Sequence, residues 1–319
     1  MSHGLDRLLE QARIISVGDC ESIQEILERH NKSMWVHFSP FLVSYSLPPR
    51  RSLYLLEVEG SLVFIQVNVR NGETRTDLLF LPVPYTDKIN SWLTTLPEIV
   101  GQEDVRIIWV DEEEISQLRL GFDENLAWDE KGVEYIYEPE KVWSMEGSEF
   151  RDMRKRVRKA EKNFPDFMDL SVEDISECQE LLKKWRSVQG RKNSFLLDWG
   201  YTRAALNDFH RFAAENLYGW CVKIQGNVEA FALAGPMNED TANFFVAKTN
   251  PEVSGLSEYL RWKVLGELRA FSYVNDAGDL GIPGLRQHKM KMRPTQLKKR
   301  FTATLLTEVQ KGSCKLRLV

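Results

Sequence analysis

The sequence predicts a mixed α/β (α+β) protein of two domains, and three observations predict it. The first is length: 319 residues exceed the roughly 100–200 of one ordinary domain. The second is that apolar runs of strand length alternate with segments of helical periodicity along the whole chain. The third is charge. Residues 1–150 hold 13 Lys and Arg against 27 Asp and Glu, whereas residues 151–319 hold 29 against 20. A net of −14 beside a net of +9 points to two halves with different partners. The expected division is an N-terminal domain over 1–147 and a C-terminal domain over 148–319.

The elements follow in order. Asp19 is placed to cap a helix over Glu21–His30, with Ile23, Ile26 and Leu27 on one side. Ser52–Val69 reads as two strands meeting near Gly60, and Asp77–Pro84 as another. Thr86–Ile99 has helical spacing, Val105–Val110 is a strand, Glu112–Leu120 a helix and Val133–Glu138 a strand. The second half opens with a basic helix over Ser148–Lys162, broken at Pro165. Asp174–Gln189, with Leu181, Leu182 and Trp185 on one face, and Tyr201–Glu215 are helical. A hairpin over Gly219–Ala234 turns at Gly226-Asn227, followed by a strand over Thr241–Lys248 and a helix over Gly255–Phe271. Phe301–Val309 and Cys314–Leu318 close the chain as strands.

Composition excludes several classes. With 43% apolar and 28% charged residues the chain has ordinary globular make-up, so wholesale disorder is excluded. No run approaches the roughly 20 apolar residues of a membrane-spanning helix. Met1–Glu10 lacks the basic and apolar regions of a secretory signal. Cys20, Cys178, Cys221 and Cys314 are too sparse for a disulfide framework. A cytoplasmic protein with reduced thiols is expected. The five histidines form no zinc spacing, so no metal is expected.

Positive charge concentrates in Arg151–Lys162 and Arg286–Arg300, which suits a polyanion: a phosphate-rich cofactor, an RNA or an acidic membrane surface. The turn Asn250–Ser257 between strand and helix presents backbone N–H groups where a pyrophosphate could sit, although Gly255 is its one glycine and Glu252 opposes phosphate. Val274–Lys289 reads as a polar, glycine-containing loop. Within it Asp279 suits an ammonium group, Asn275 an amide hydrogen bond, and Arg286 a phosphate or carboxylate. Read without a ligand, the same loop has Asp279 capping a turn and pairing with Arg286.

Four stretches together resemble the C-terminal catalytic domain of phosphatidylglycerol lysyltransferases, a branch of the GNAT superfamily near the Fem-type aminoacyltransferases. They are Glu134-Tyr135-Ile136-Tyr137 leading to the basic helix Phe150–Lys159; Ala230-Phe231; Ala247-Lys248 with Gly255 and Tyr259; and Asn275, Asp279, Gly281, Gly284, Leu285, Arg286 and Lys289 with Pro294. The resemblance spans about 130–300. It departs from the family at Asp276-Ala277, where Arg-Glu is usual, and at Lys291-Met292-Arg293, where Ser-Tyr is favoured before the proline.

The resemblance implies tandem GNAT-like domains, each a mixed sheet flanked by helices. It implies an acyl or aminoacyl transferase without a permanent cofactor, with aminoacyl-tRNA as donor substrate and an amine or hydroxyl acceptor on a small molecule, peptide or lipid. Acyl-CoA is the alternative donor, and a non-catalytic binding protein on the same fold the alternative role. Donor contacts fall on Lys248, Gly255, Ser257, Arg154, Arg158, Arg286 and Lys289. Asn275 and Asp279 fall in the aminoacyl or acceptor pocket. Asp279, Tyr259 and Glu229 are the candidates for moving the nucleophile's proton.

Overall fold

The computed structural model describes residues 3–122, 125–189, 198–214 and 216–306. The chain forms two compact units: residues 1–16, 45–132 and 299–319 make one, and residues 17–44 and 133–298 the other. Elements are numbered in chain order.

The first unit contains α1 (His3–Glu10), β1 (Arg13–Ile14), β2 (Arg51–Val58), β3 (Ser61–Arg70), β4 (Glu73–Phe80), α4 (Asn90–Val100), β5 (Asp104–Val110) and α5 (Glu112–Phe122). Lys299–Leu306, the end of β12 (Gln296–Leu306), completes it. The strand order is β1-β2-β3-β4-β5-β12, antiparallel at every step except the parallel pair β4/β5. Glu59-Gly60 and Asn71-Gly72 both take positive φ, the left-handed pair of a tight hairpin turn. Leu78, Leu93, Leu96, Val105, Ile107 and Leu305 lie in its core. Asp77 is fully buried in that sheet and pairs with Arg106, at 2.5 Å, and Arg75, at 3.0 Å.

The second unit contains α2 (Cys20–Arg29), α3 (Ser39–Tyr45, to its residue 44), the last residues of β6 (Leu126–Tyr137), α6 (Pro139–Ser144), α7 (Arg151–Glu161), β7 (Asp166–Asp169), α8 (Ile175–Gln189) and α9 (Asp198–Asn207). β8 (Tyr218–Ile224), β9 (Asn227–Pro236), β10 (Thr241–Thr249), α10 (Leu256–Glu267), β11 (Tyr273–Asn275) and α11 (Pro283–Met290) follow. The strand order β7-β8-β9-β10-β11-β6 is antiparallel except for the parallel pair β10/β11. The core gathers Tyr137, Phe150, Val157, Ala232, Phe244, Leu260 and Val274.

The two sheets therefore share one pairing scheme. Each has a meander of four strands, a helical crossover (α4 or α10) to a parallel fifth strand, and an antiparallel sixth. In a simple tandem the sixth strand of the first unit would be β6. Instead β6 pairs with β11, and β12, from the end of the chain, pairs with β5. This exchange makes each unit discontinuous in sequence, so its division differs from a single cut at 147/148.

Other differences are local. The β8–β9 turn is Gln225-Gly226, not Gly226-Asn227; Gln225 takes a φ of 52° and Gly226 85°. Val274–Lys289 is not one loop: it begins in β11 and ends in α11, whose first position is Pro283, a residue that suits that place because a first-turn N–H has no helical partner. α9 ends at Asn207, eight residues before the expected end. The strand expected over Cys314–Leu318 lies outside the described residues.

Candidate functional site

The sequence-derived candidates all lie in the second unit, and its sheet explains their grouping. β11 pairs with β10 only as far as Asn275, backbone bonds with Tyr135 of β6 continue to Ala277, and the chain then reaches α11 at Pro283. Ala277, Leu280 and Gly281 adopt positive φ along this loop.

The root of the loop is a buried polar network. Asn275 is fully buried and donates to Glu134 Oε2 at 2.8 Å and to the Ser33 carbonyl at 3.2 Å. Its Oδ1 accepts from the Ala277 N–H at 3.0 Å. Asp276 faces Arg261, on α10, at 2.5 Å and Lys289, on α11, at 3.4 Å. Lys289 Nζ also donates to the carbonyls of Asp276 and Ala277 and lies 5.5 Å from the Tyr135 ring centre. Burial pushes the Lys289 ammonium down to about 8, against the pull of Asp276. Asn275 and Lys289 are thus enclosed and hold the loop against the sheet, so neither projects toward a ligand in solution.

Beyond the root the loop is more open. Asp279 is half-buried; Oδ2 accepts from the Tyr135 hydroxyl at 2.6 Å and Oδ1 from the Gly281 N–H at 2.9 Å. Burial and the Asp279 carboxylate push the Tyr135 hydroxyl up to about 12, with Arg286 acting the other way. Arg286 lies in the first turn of α11 and is exposed. A carboxylate with free acceptor capacity and an exposed guanidinium therefore share one loop end, a combination that can hold a ligand carrying both signs of charge.

α7 supplies the strongest positive field. Met153, Val157 and Ala160 recur at helical spacing and bury one face. The opposite face is strongly basic, carrying Arg151, Arg154, Lys155, Arg158, Lys159 and Lys162, with Asp152 the one acid among them. Arg154 is partly committed, since its guanidinium donates to the carbonyls of Met145 and Gly147. Arg158 is exposed. Arg293, just past α11, donates to the Glu149 carbonyl at 3.0 Å and so ties α11 to the approach of α7.

The remaining candidates lie elsewhere in the unit. Glu229 accepts from the Asn250 side-chain amide at 2.6 Å and braces the turn after β10. Lys248 is buried, with Nζ 4.0 Å from the Trp185 ring centre. Gly255 has a φ of +85°, and a Cβ there would stand 2.3 Å from the Arg156 carbonyl oxygen, so this glycine is required by close packing on α7. Tyr259 is a core residue of α10 whose hydroxyl points to the Pro165 carbonyl at 3.4 Å. Ser257 Oγ lies 3.3 Å from His288 Nε2.

Sequence reasoning missed Asp276, Arg261, Glu258 and His288. The spacing of Glu258 and Arg261 on α10 and the contiguity of His288 with Lys289 were visible, but which loop meets them was not. Burial pushes the Cys20 thiol up to about 12 and the Cys221 thiol up to about 11, so both are poor nucleophiles. Cys314 lies outside the described residues. Among the described residues no group of three or more His, Cys, Asp or Glu could hold a metal ion.

Comparison with known proteins adds to this geometry. Residues 85–304 match a family model described as phosphatidylglycerol lysyltransferase, C-terminal. No curated protein matches the sequence. Among solved structures, a conserved protein of unknown function from Bacteroides thetaiotaomicron aligns with a TM-score of 0.75 at 18% identity, covering 92% of this chain and 99% of that one. The structure of L-PGS from Bacillus licheniformis aligns with a TM-score of 0.64 at 16% identity, covering 91% and 93%. FemX aligns with a TM-score of 0.61 at 11% identity, covering 96% and 99%. At these identities the three structures establish the shared mixed α/β fold alone.

Proposed function

We propose that this chain, which belongs to the phosphatidylglycerol lysyltransferase C-terminal family, moves an aminoacyl group from aminoacyl-tRNA to an amine or hydroxyl acceptor. The observation that carries the reading is the basic face of α7. Six cations along a helix of about 16 Å suit a phosphodiester backbone, which offers charge over such a length. The few phosphates of an acyl-CoA need far less. The turn that would hold a pyrophosphate in the alternative is closed instead: Gly255 packs on Arg156, and Glu252 pairs with Lys184 at 2.5 Å.

In this reading α7 holds the donor's phosphates and Asp279 receives the ammonium of the aminoacyl group. Arg286 meets the phosphate or carboxylate end, and transfer follows from alignment of the ester with the acceptor. No helix among the described residues is long and apolar enough to cross a membrane.

The test uses tRNA charged with radiolabelled amino acids, with phosphatidylglycerol vesicles and short amine-bearing peptides as acceptors. The expected result is label in the acceptor, abolished by RNase and by moderate salt. Transfer from acetyl-CoA that ignores RNase would replace this reading with an acyl-CoA transferase. Tight tRNA binding without turnover on any acceptor would leave a binding protein.

A further inference from the structure

Ser257, Glu258 and His288 make a constellation that the transfer above does not use. α10 begins at Leu256, so Ser257 and Glu258 occupy its first turn. There the helix end is positive and backbone N–H groups lack intrahelical acceptors. His288 projects from α11 between the two side chains. Its Nε2 stands 3.3 Å from Ser257 Oγ, and its Nδ1 stands 3.7 Å from Glu258 Oε1. One imidazole thus presents opposite edges to a hydroxyl and to a carboxylate, the order of parts in a nucleophile–base–carboxylate relay.

The charge states suit that order. Burial raises the Glu258 carboxyl, but His288 and Lys291, at 3.8 Å, outweigh it and hold the group near 2, so it is ionised at neutral pH. Burial lowers His288 below its ordinary value, Arg261 adds to the fall, and Glu258 and Asp276 oppose it. The imidazole is therefore neutral, and the tautomer that carries its proton on Nδ1, toward Glu258, leaves a lone pair at the nitrogen facing Ser257. The serine stands in the first turn of α10, at the positive end of the helix dipole, with its Oγ against the imidazole. Ser257 is half-buried and the His288 side chain is 17% exposed, so the relay is sheltered without being sealed.

We propose that Ser257, His288 and Glu258 form an acyl-accepting relay in which Ser257 takes an acyl group from an activated ester. Ser257 Oγ bonds to the carbonyl carbon as its proton passes to His288 Nε2. Collapse of the tetrahedral adduct breaks the carbon–oxygen bond to the leaving alcohol, which takes the proton back from the imidazolium. The products are a serine ester and a free alcohol, and an amine or water then releases the acyl group by the same steps in reverse. This goes beyond the proposed transfer, which needs no covalent step.

The experiment treats the full chain with p-nitrophenyl acetate and, separately, with a fluorophosphonate, and maps adducts by peptide mass spectrometry. Expected are near-stoichiometric adducts on Ser257, absent in Ser257→Ala and formed at least about tenfold more slowly in His288→Gln and Glu258→Gln, with melting temperatures recorded for each. No adduct on Ser257 in the parent protein, or equal labelling of Ser257 in folded His288→Gln, overturns the relay and leaves these contacts as a clamp between α10 and α11. Neither probe involves tRNA. A protein that transfers from aminoacyl-tRNA but takes no adduct loses only the relay; one that takes the adduct but transfers nothing loses only the proposed transfer.

Discussion

Tyr135 and Asp279 are joined by a 2.6 Å hydrogen bond from the phenol to the carboxylate, across 144 residues of sequence. Tyr135 is almost wholly buried at the end of β6, whereas Asp279 lies on the loop after β11. The bond fixes Oδ2, as the Gly281 N–H fixes Oδ1, and together they orient the half-buried carboxylate. Because Tyr135 is held protonated, it donates to Asp279 throughout the neutral range.

Asp279→Asn should lower kcat/KM about ten- to a hundredfold while leaving melting temperature nearly unchanged, since a charged hydrogen bond to ligand is worth about 1.5–3 kcal/mol and each decade of rate about 1.4. Tyr135→Phe should have a smaller effect, because the Gly281 amide still holds Asp279. Initial rate and melting temperature on one preparation check this. A destabilised Asp279→Asn variant with full activity per folded molecule would place the loop outside the site.

Asp276→Ala should be among the most destabilising single changes in the second unit. It would leave Arg261 and Lys289 as neighbouring buried cations without their shared carboxylate. Removing one partner from a buried pair typically costs about 3–5 kcal/mol. Urea unfolding followed by tryptophan fluorescence measures it, and a loss under about 1 kcal/mol would mean that water reaches the network.

Lys289 gives the network a pH signature of opposite sign to a surface lysine. Its folded value, about 8, lies below the unfolded value of about 10.4. The unfolded chain therefore binds more protons between those limits, and stability from this group rises as pH climbs from about 8 to about 10. At lower pH both states are protonated and the burial penalty is present in full. The difference in unfolding free energy between the parent and Lys289→Met should move in favour of the parent by about 1–3 kcal/mol from pH 7.5 to pH 10. A pH-independent difference would show that the ammonium is solvated.

Much of the fold was legible because the signals are local. The hairpin of β2 and β3, the basic helix α7 and the α10 crossover were expected within a few residues of where they stand, since periodicity and turn residues fix them. The exchange of β6 and β12 was not legible, because a strand's own sequence does not name its partner. Of the candidate site, Asp279 and Arg286 stand out in the sequence as charged groups in a glycine-containing stretch, and the structure puts the first on a half-buried loop and the second on α11. The burial of Lys289 and Asn275 was not legible, because a lysine beside Arg286 looks like more surface charge until Asp276 and Arg261 are brought to it. His288 has nothing around it in sequence that distinguishes it; only the packing of α11 on α10 sets it between Ser257 and Glu258.

The last expectation concerns the basic face of α7. Arg151, Lys155, Arg158 and Lys162 are exposed, and none of them supports the core, whereas Arg154 holds the carbonyls of Met145 and Gly147 and Lys289 is enclosed. Replacing the first four with glutamine should therefore weaken binding of a polyanion without disturbing the helix, whose buried face is Met153, Val157 and Ala160. A phosphate contact contributes by releasing counterions, so each lost contact should lower the slope of log K against log salt by about 0.7–0.9. With tRNA as ligand, the fourfold variant should lose most of its affinity at low salt and least at high salt, where the parent's own contacts are already screened. Binding measured from about 50 to 300 mM salt separates this from a local structural effect, which would weaken binding equally at every salt concentration. A parent and variant with parallel lines would show that these side chains are a solvated surface and would move the donor site off α7.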